Sequence, residues 1–163
     1  MTQSPITASK FKSSQLYDTD FYAWTQEQAK LLREGNLECL DISNLVEEIE
    51  SLGKQEQQEL VNRLGILIGH LLKWEFQSEN RSRSWFATIR EQRRRIHRLL
   101  KKNPSLKSYL PEALGEASED GLDLAVRETS LSYKVFPSEC AYNLEQILDA
   151  NFFPGIESDR EWE

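Results

Sequence analysis

The chain has 163 residues, enough for a substantial core, and its 39% hydrophobic and 29% charged residues are an ordinary globular balance. Two cysteines (Cys39, Cys140), two histidines (His70, His97) and no CxxC or HExxH motif exclude a disulfide framework and a zinc site of ordinary type. The net charge of −7 is segregated: residues 81–102 hold nine Lys or Arg against Glu91 alone, net +8, while the rest carries eleven bases and 26 acids, net −15.

In chain order, residues 1–15 are rich in Ser, Thr and Gln and read as a flexible segment. Residues 16–155 read as a single helical domain, and 156–163 as an acidic mobile tail. A first helix is predicted over Asp20–Glu34, capped by Asp18 or Thr19 and stopped at Gly35–Asn36. Its apolar members are Phe21, Trp24, Ala29, Leu31 and Leu32.

Residues 41–77 predict a long central helix. Leu45, Ile49, Leu52, Leu60, Leu64, Leu67, Leu71 and Trp74 recur in steps of three and four, with Glu56 filling one position. The stripe predicts one face buried along the whole helix. Asp41 is placed as N-cap, with Leu40 and Leu45 spaced as a hydrophobic staple. One unbroken helix of this length would span roughly 50 Å, far more than a radius of gyration of about 15 Å. A kink near Gly53, or protrusion into a partner, is therefore expected. Gly65 and Gly69 form a small-xxx-small pair that lets another helix approach closely.

Ser82 or Ser84 caps a third helix that runs to Asn103, where Pro104 stops it. Trp85, Ile89, Ile96, Leu99 and Leu100 form its apolar face. A short turn over 105–110 precedes a fourth helix from Glu112 to about Thr129, with Leu114, Ala117, Leu124 and Ala125 inward. Gly115 and Gly121 weaken that helix by about 1 kcal/mol each relative to Ala. A last helix is predicted from Pro137–Ser138 to Asp149, and Phe152–Gly155 as an apolar cap folding back. Helices joined by short loops favour an all-α antiparallel bundle of about five helices around the long central one. No segment reads as a signal peptide or a membrane span, and two reduced thiols fit a cytoplasmic protein.

The segments together resemble a known family. The resemblance begins at Tyr17-Asp18-Thr19-Asp20-Phe21 with Trp24, and continues through Gln28-Ala29 and Leu31-Leu32-Arg33. It is densest at Asp41, Asn44-Leu45, Glu47-Glu48-Ile49-Glu50 and His70-Leu71-Leu72-Lys73-Trp74. Arg81-Ser82-Arg83-Ser84-Trp85, Ile89-Arg90 and Gln92-Arg93-Arg94-Arg95-Ile96 follow, then Pro104-Ser105-Leu106, Phe136-Pro137-Ser138-Glu139-Cys140 and Leu144-Glu145-Gln146. On these motifs, over residues 17–154, the chain resembles the bacterial domain-of-unknown-function family number twenty-nine. Ala141 departs from the proline often found there. The resemblance implies an all-helical fold and a bacterial cytoplasmic setting, and no reaction.

Three groups of residues carry chemistry. Glu47 and Glu50 sit at i and i+3 beside Glu48, a spacing with which two carboxylates one turn apart can hold a metal. The competing reading is favourable charge near a helix N-terminus on a solvated face, and it leads. His70, in the most apolar stretch, is either a base held by a carboxylate such as Glu48 or Asp20, or a satisfied core group. The core reading leads. Arg90, Arg93, Arg94, Arg98 and Lys101 fall on one face of the third helix and suit phosphates. Against this, the acids Glu112, Glu116, Glu119, Asp120 and Asp123 would neutralise that face if their helix packed beside it.

The leading functional expectation is a non-catalytic, cytosolic protein-interaction or regulatory module with no cofactor and no metal. A nucleic-acid or polyanion binder through residues 81–102 is the alternative, and a metal-dependent hydrolase using the acidic start of the central helix the third. An interaction module should expose an apolar face, a binder an unpaired basic face, and a hydrolase converging carboxylates.

Overall fold

A computed structural model describes residues 15–155. The flexible N-terminal segment expected over 1–15, all but its last residue, and the acidic tail over 156–163 lie outside the described residues. The chain is all-α, and no strand occurs among the described residues. After a helical stretch over residues 15–19 come α1 (Phe21–Glu34), the long α2 (Ile42–Phe76), α3 (Arg83–Lys102), α4 (Leu110–Thr129) and the short α5 (Leu144–Leu148).

Local chemistry sets the boundaries. Asp20, rather than Asp18 or Thr19, caps α1 by accepting from the Ala23 amide. Gly35 ends it at φ 72°, a left-handed position that costs glycine no Cβ clash. Ser82 caps α3 by accepting from the Trp85 amide. Pro104 follows directly, where its missing N–H would break a continuing helix. Helix α4 starts at Leu110 because Pro111 fits the first turn, which needs no donor there. The last helix is shorter than expected: only Leu144–Leu148 is helical, and Asn143 with Gln146 closes a capping box around its start. Asn143 is therefore the true N-terminus, and the stretch after Pro137 is bends and extended chain.

The chain divides into two compact units, Met1–Lys54 and Gln55–Glu163. Helix α2 contributes to both, and it is helical at every residue, Gly53 included.

In the first unit, α1 packs on the start of α2. Trp24, Leu31 and Leu40 are buried. Trp24 Nε1 donates to the Asp41 carboxylate (3.2 Å), the Asp41 amide donates to the buried Gln28 side chain (2.9 Å), and the Tyr17 hydroxyl donates to Glu48 (2.7 Å). A pair of helices has one shared interface, so its other faces stay open. That is why the apolar stripe of α2 is not buried along its length: Ile49 is 66% and Leu52 61% exposed, while Leu60, Leu64, Leu67, Leu71 and Trp74 are at 0%.

Those five buried residues form the spine of the second unit. Ile89 and Ile96 of α3, Ala117 and Ala125 of α4 and Ile147 of α5 pack around them. Phe153 folds back as expected, stacking on Phe86 (4.9 Å between centroids) and lying 5.3 Å from Trp74. The glycine pair brings α4 against α2. A Cβ on Gly69 would stand 2.7 Å from Leu124 Cδ2 and 2.9 Å from the Gly121 carbonyl. A Cβ on Gly121 would stand 2.9 Å from Ile68. Gly121, a weak point by propensity, is thus required by packing. Gly69→Ala is expected to destabilise by about 1–3 kcal/mol, because the backbone carbonyl cannot yield. Gly53→Ala, with nothing within 4 Å, should stabilise by up to about 1 kcal/mol. Urea denaturation of the two variants checks the opposite signs.

Candidate functional site

The apolar residues left outside the core are concentrated. Of the large hydrophobic side chains exposed among the described residues, Phe21, Tyr22, Leu32, Leu37, Ile42, Val46, Ile49 and Leu52 lie in the first unit; only Tyr133 and Val135 lie elsewhere. Ile42, Val46, Ile49 and Leu52 are spaced by four, three and three, so they share one face of α2. Phe21 and Leu32, three turns apart, share a face of α1. Phe21 is held in place by stacking on Trp24 (5.5 Å), itself edge-on to Tyr17 (4.9 Å). At about half exposure or more, these side chains together present on the order of several hundred Å² of apolar surface.

Acids rim that surface. Residues 15–54 carry nine acids against three bases, net −6. Glu47 and Glu50 are exposed beside the α2 row, whereas Glu48 is partly covered and accepts from Tyr17. Glu48 in turn raises the Tyr17 hydroxyl to about 12 through that hydrogen bond. Among the described residues, no three His, Cys, Asp or Glu side chains converge as a metal-ligand set.

His70 lies in the second unit, and Glu47, Glu48 and Glu50 in the first. Its Nδ1–H donates to the Ile66 carbonyl one turn back (2.9 Å), and burial pushes its imidazole below the usual range. The ring is a donor to its own helix, with no hydrogen bond to a carboxylate among the described residues. Nearby, Lys73 is 3% exposed and pairs with Glu128 at 2.5 Å. The Lys73 hydrogen bond holds the Glu128 carboxyl below the usual carboxylate range. Sequence reasoning missed this pair. A lysine inside the run His70–Trp74, where every neighbour is apolar or aromatic, was its only signal.

The basic helix is divided by burial. Arg90, Arg94, Arg98 and Lys101 are exposed on α3. Arg93 is not part of that face: it is 6% exposed and turned into the second unit. Its guanidinium donates to the carbonyls of Ile147 (2.9 Å) and Phe152 (2.6 Å), with longer bonds to Ala150 and Gln146. The reason is visible in the spacing, since Ile89, Arg93, Ile96 and Leu100 form one stripe. Arg81 acts similarly, donating to the Trp74 and Pro154 carbonyls.

Among the described residues, the ion pairs of α3 go to Glu91 within the helix, through Arg95, and to Glu56 of α2, through Lys102. None goes to Glu112, Glu116, Glu119, Asp120 or Asp123. The close approach of α4 is to α2, where Asp120 Cβ and the Ala117 carbonyl lie against Gly65. Two clefts flank the exposed arginines. One, of about 440 Å³, lies between α2 and α3 and holds Arg63, Arg94, Arg95 and Arg98 together with Glu59 and Glu91. Arg63, which the sequence did not single out, is ion-paired with Glu59 and donates to Gln92. The other, of about 340 Å³, has Arg90, Arg94, His97 and Arg98 on one wall and Leu148 and Ala150 on the other. A third cleft, of about 380 Å³ near Ile68, Leu114, Leu122 and Cys140, is mainly apolar.

No helix among the described residues is long and apolar enough to cross a membrane. No curated protein and no solved structure matches the chain. A family model described as "Domain of unknown function DUF29" matches residues 16–153. That span takes in the exposed apolar rows of α1 and α2, the basic helix and the Arg93-bound cap up to Phe153, so the chain belongs to the family Domain of unknown function DUF29.

Proposed function

We propose that the protein is a non-catalytic interaction module of the bacterial cytoplasm, and that its first unit docks an amphipathic helix of another protein whose apolar stripe is flanked by Lys or Arg. The observation that carries this reading is the row Ile42, Val46, Ile49 and Leu52, left open at 49–66% exposure on a helix whose later apolar residues Leu60, Leu64, Leu67, Leu71 and Trp74 are wholly buried. Such a row at helical spacing is what a helix-in-groove partner engages. Charge selects the partner: the unit is net −6 over residues 15–54, and Glu47 and Glu50 edge the row. Two copies of this surface facing one another would set like charges together, whereas basic flanks complement them. The free thiols of Cys39 and Cys140 accord with a reducing compartment.

The test is fluorescence anisotropy with a labelled amphipathic helical peptide of leucine and lysine. A leucine–glutamate peptide of the same pattern serves as control. The lysine peptide is expected to bind. Ile49→Asp with Leu52→Asp should weaken binding at least tenfold, with circular dichroism unchanged. Undiminished binding by that variant refutes the reading. Dimeric sedimentation of the wild type, abolished by the same pair of changes, would assign the face to a second copy instead.

A further inference from the structure

We infer that the cleft between α3 and the 146–152 segment binds a compact, multiply charged phosphate ligand, such as a triphosphate, held by Arg90, Arg94 and Arg98 with His97. Arg93 lies in the apolar stripe of α3 and places its guanidinium on the carbonyls of Gln146, Ile147, Ala150 and Phe152. Those carbonyls include the end of α5, which carries partial negative charge. Arg93, itself in the lining of the cleft, offsets that charge and ties the far wall to the basic helix.

The near wall then offers what a phosphate requires. Arg90, Arg94 and Arg98 are spaced by four, one above another on one face, with His97 beside them. Their guanidinium forks suit bidentate contact with phosphate oxygens. No carboxylate lines this cleft. Arg95, which points to the other side, is already paired with Glu91 at 2.7 Å. Asp149, next to the cleft in sequence, accepts from the Asn151 amide (2.9 Å) within its own turn. At about 340 Å³ the cleft is of small-ligand size, and Leu148 with Ala150 gives it an apolar wall for a non-phosphate portion.

Charge distribution favours a compact ligand over a nucleic acid. The exposed basic row from Arg90 to Lys101 runs only about 16 Å along the helix. Outside residues 81–102 the chain is net −15, so a long polyanion leaving the row would meet repulsion. A tri- or tetraphosphate concentrates its charge within the row.

Isothermal titration calorimetry with inorganic tripolyphosphate at low salt tests the inference. One-to-one binding is expected, lost at least tenfold in Arg94→Gln/Arg98→Gln. Arg83→Gln, an exposed arginine outside both clefts, should bind as the wild type does. The single change Arg90→Gln, expected to weaken binding several-fold, gives a second reading should the double variant melt early. Absence of binding, or equal binding by Arg94→Gln/Arg98→Gln, overturns the inference. Tighter binding of a labelled single strand or duplex through the same arginines overturns it in favour of nucleic acid.

Discussion

Arg93→Ala is expected to lower the unfolding free energy by about 3–5 kcal/mol, far beyond the range of a surface arginine. The wild-type guanidinium, 6% exposed, donates to four carbonyls of residues 146–152. Removing it leaves the buried Ile147 carbonyl without this donor, a loss of about 1–3 kcal/mol, and strips three partly buried carbonyls of theirs. It also withdraws a cation from within 5.2 Å of the Phe153 ring, which is stacked into the core on Phe86. Arg93→Lys should recover only part of the loss, because a single ammonium cannot reach carbonyls spread over seven residues. Arg94→Ala, next in sequence but exposed, should stay within about 0.5 kcal/mol. Urea denaturation followed by circular dichroism separates the three. Equal effects at positions 93 and 94 would mean that the 146–152 segment is not held by this side chain.

Leu67→Ala should cost about 2–5 kcal/mol, the range for emptying a packed leucine site. Leu67 is at 0% exposure among Leu64, Leu71 and the α3 and α4 side chains of the same core. The informative comparison is Ile49→Ala on the same helix. Sequence periodicity treats Ile49 and Leu67 alike, but Ile49 is 66% exposed, so its truncation should change stability by less than about 0.5 kcal/mol. A loss at Ile49 as large as that at Leu67 would mean that the start of α2 is covered in the free protein, and the proposed docking face would not be available.

This contrast shows what periodicity conveys. A row at steps of three and four identifies a face of a helix, and for α2 it did so correctly over 35 residues. It does not say whether anything covers that face. From Leu60 onward α3, α4 and α5 do; before Lys54 the unit is one helix pair, and Ile49 and Leu52 stay open. Helix ends were legible at Gly35 and Pro104, where backbone chemistry decides them, and Ser82 was one of the two caps offered. The starts of α1 and of the last helix were not. Pro137–Ser138 is a plausible opening, but the reciprocal box of Asn143 and Gln146 is the stronger local signal. Gly65 and Gly69 were legible as a close approach, since only small residues allow it; which helix would come was not.

The candidate sites follow the same division. Exposed Arg90, Arg94, Arg98 and Lys101 were placed on one face by helical spacing, and so they are. Arg93 was grouped with them because charge suggested solvent, although its position in the stripe of Ile89, Ile96 and Leu100 pointed inward. The acids after Pro111 offered a neutralising neighbour by composition alone, whereas small residues on α2 and α4 decide which helices meet. The pairs Lys73–Glu128 and Tyr142–Glu75 join residues 55 and 67 positions apart. No local pattern announces a partner at that distance.

We propose the open apolar row of the first unit as a docking face. Hydrogen exchange, read by mass spectrometry for the free protein and with the leucine–lysine peptide bound, tests it most directly, because exchange reports where a partner stabilises the backbone. Slowed exchange is expected over α1 and residues 42–54, with the core segments of α2, α3 and α4 unchanged. Slowing confined to residues 83–102, or absent throughout, would contradict it.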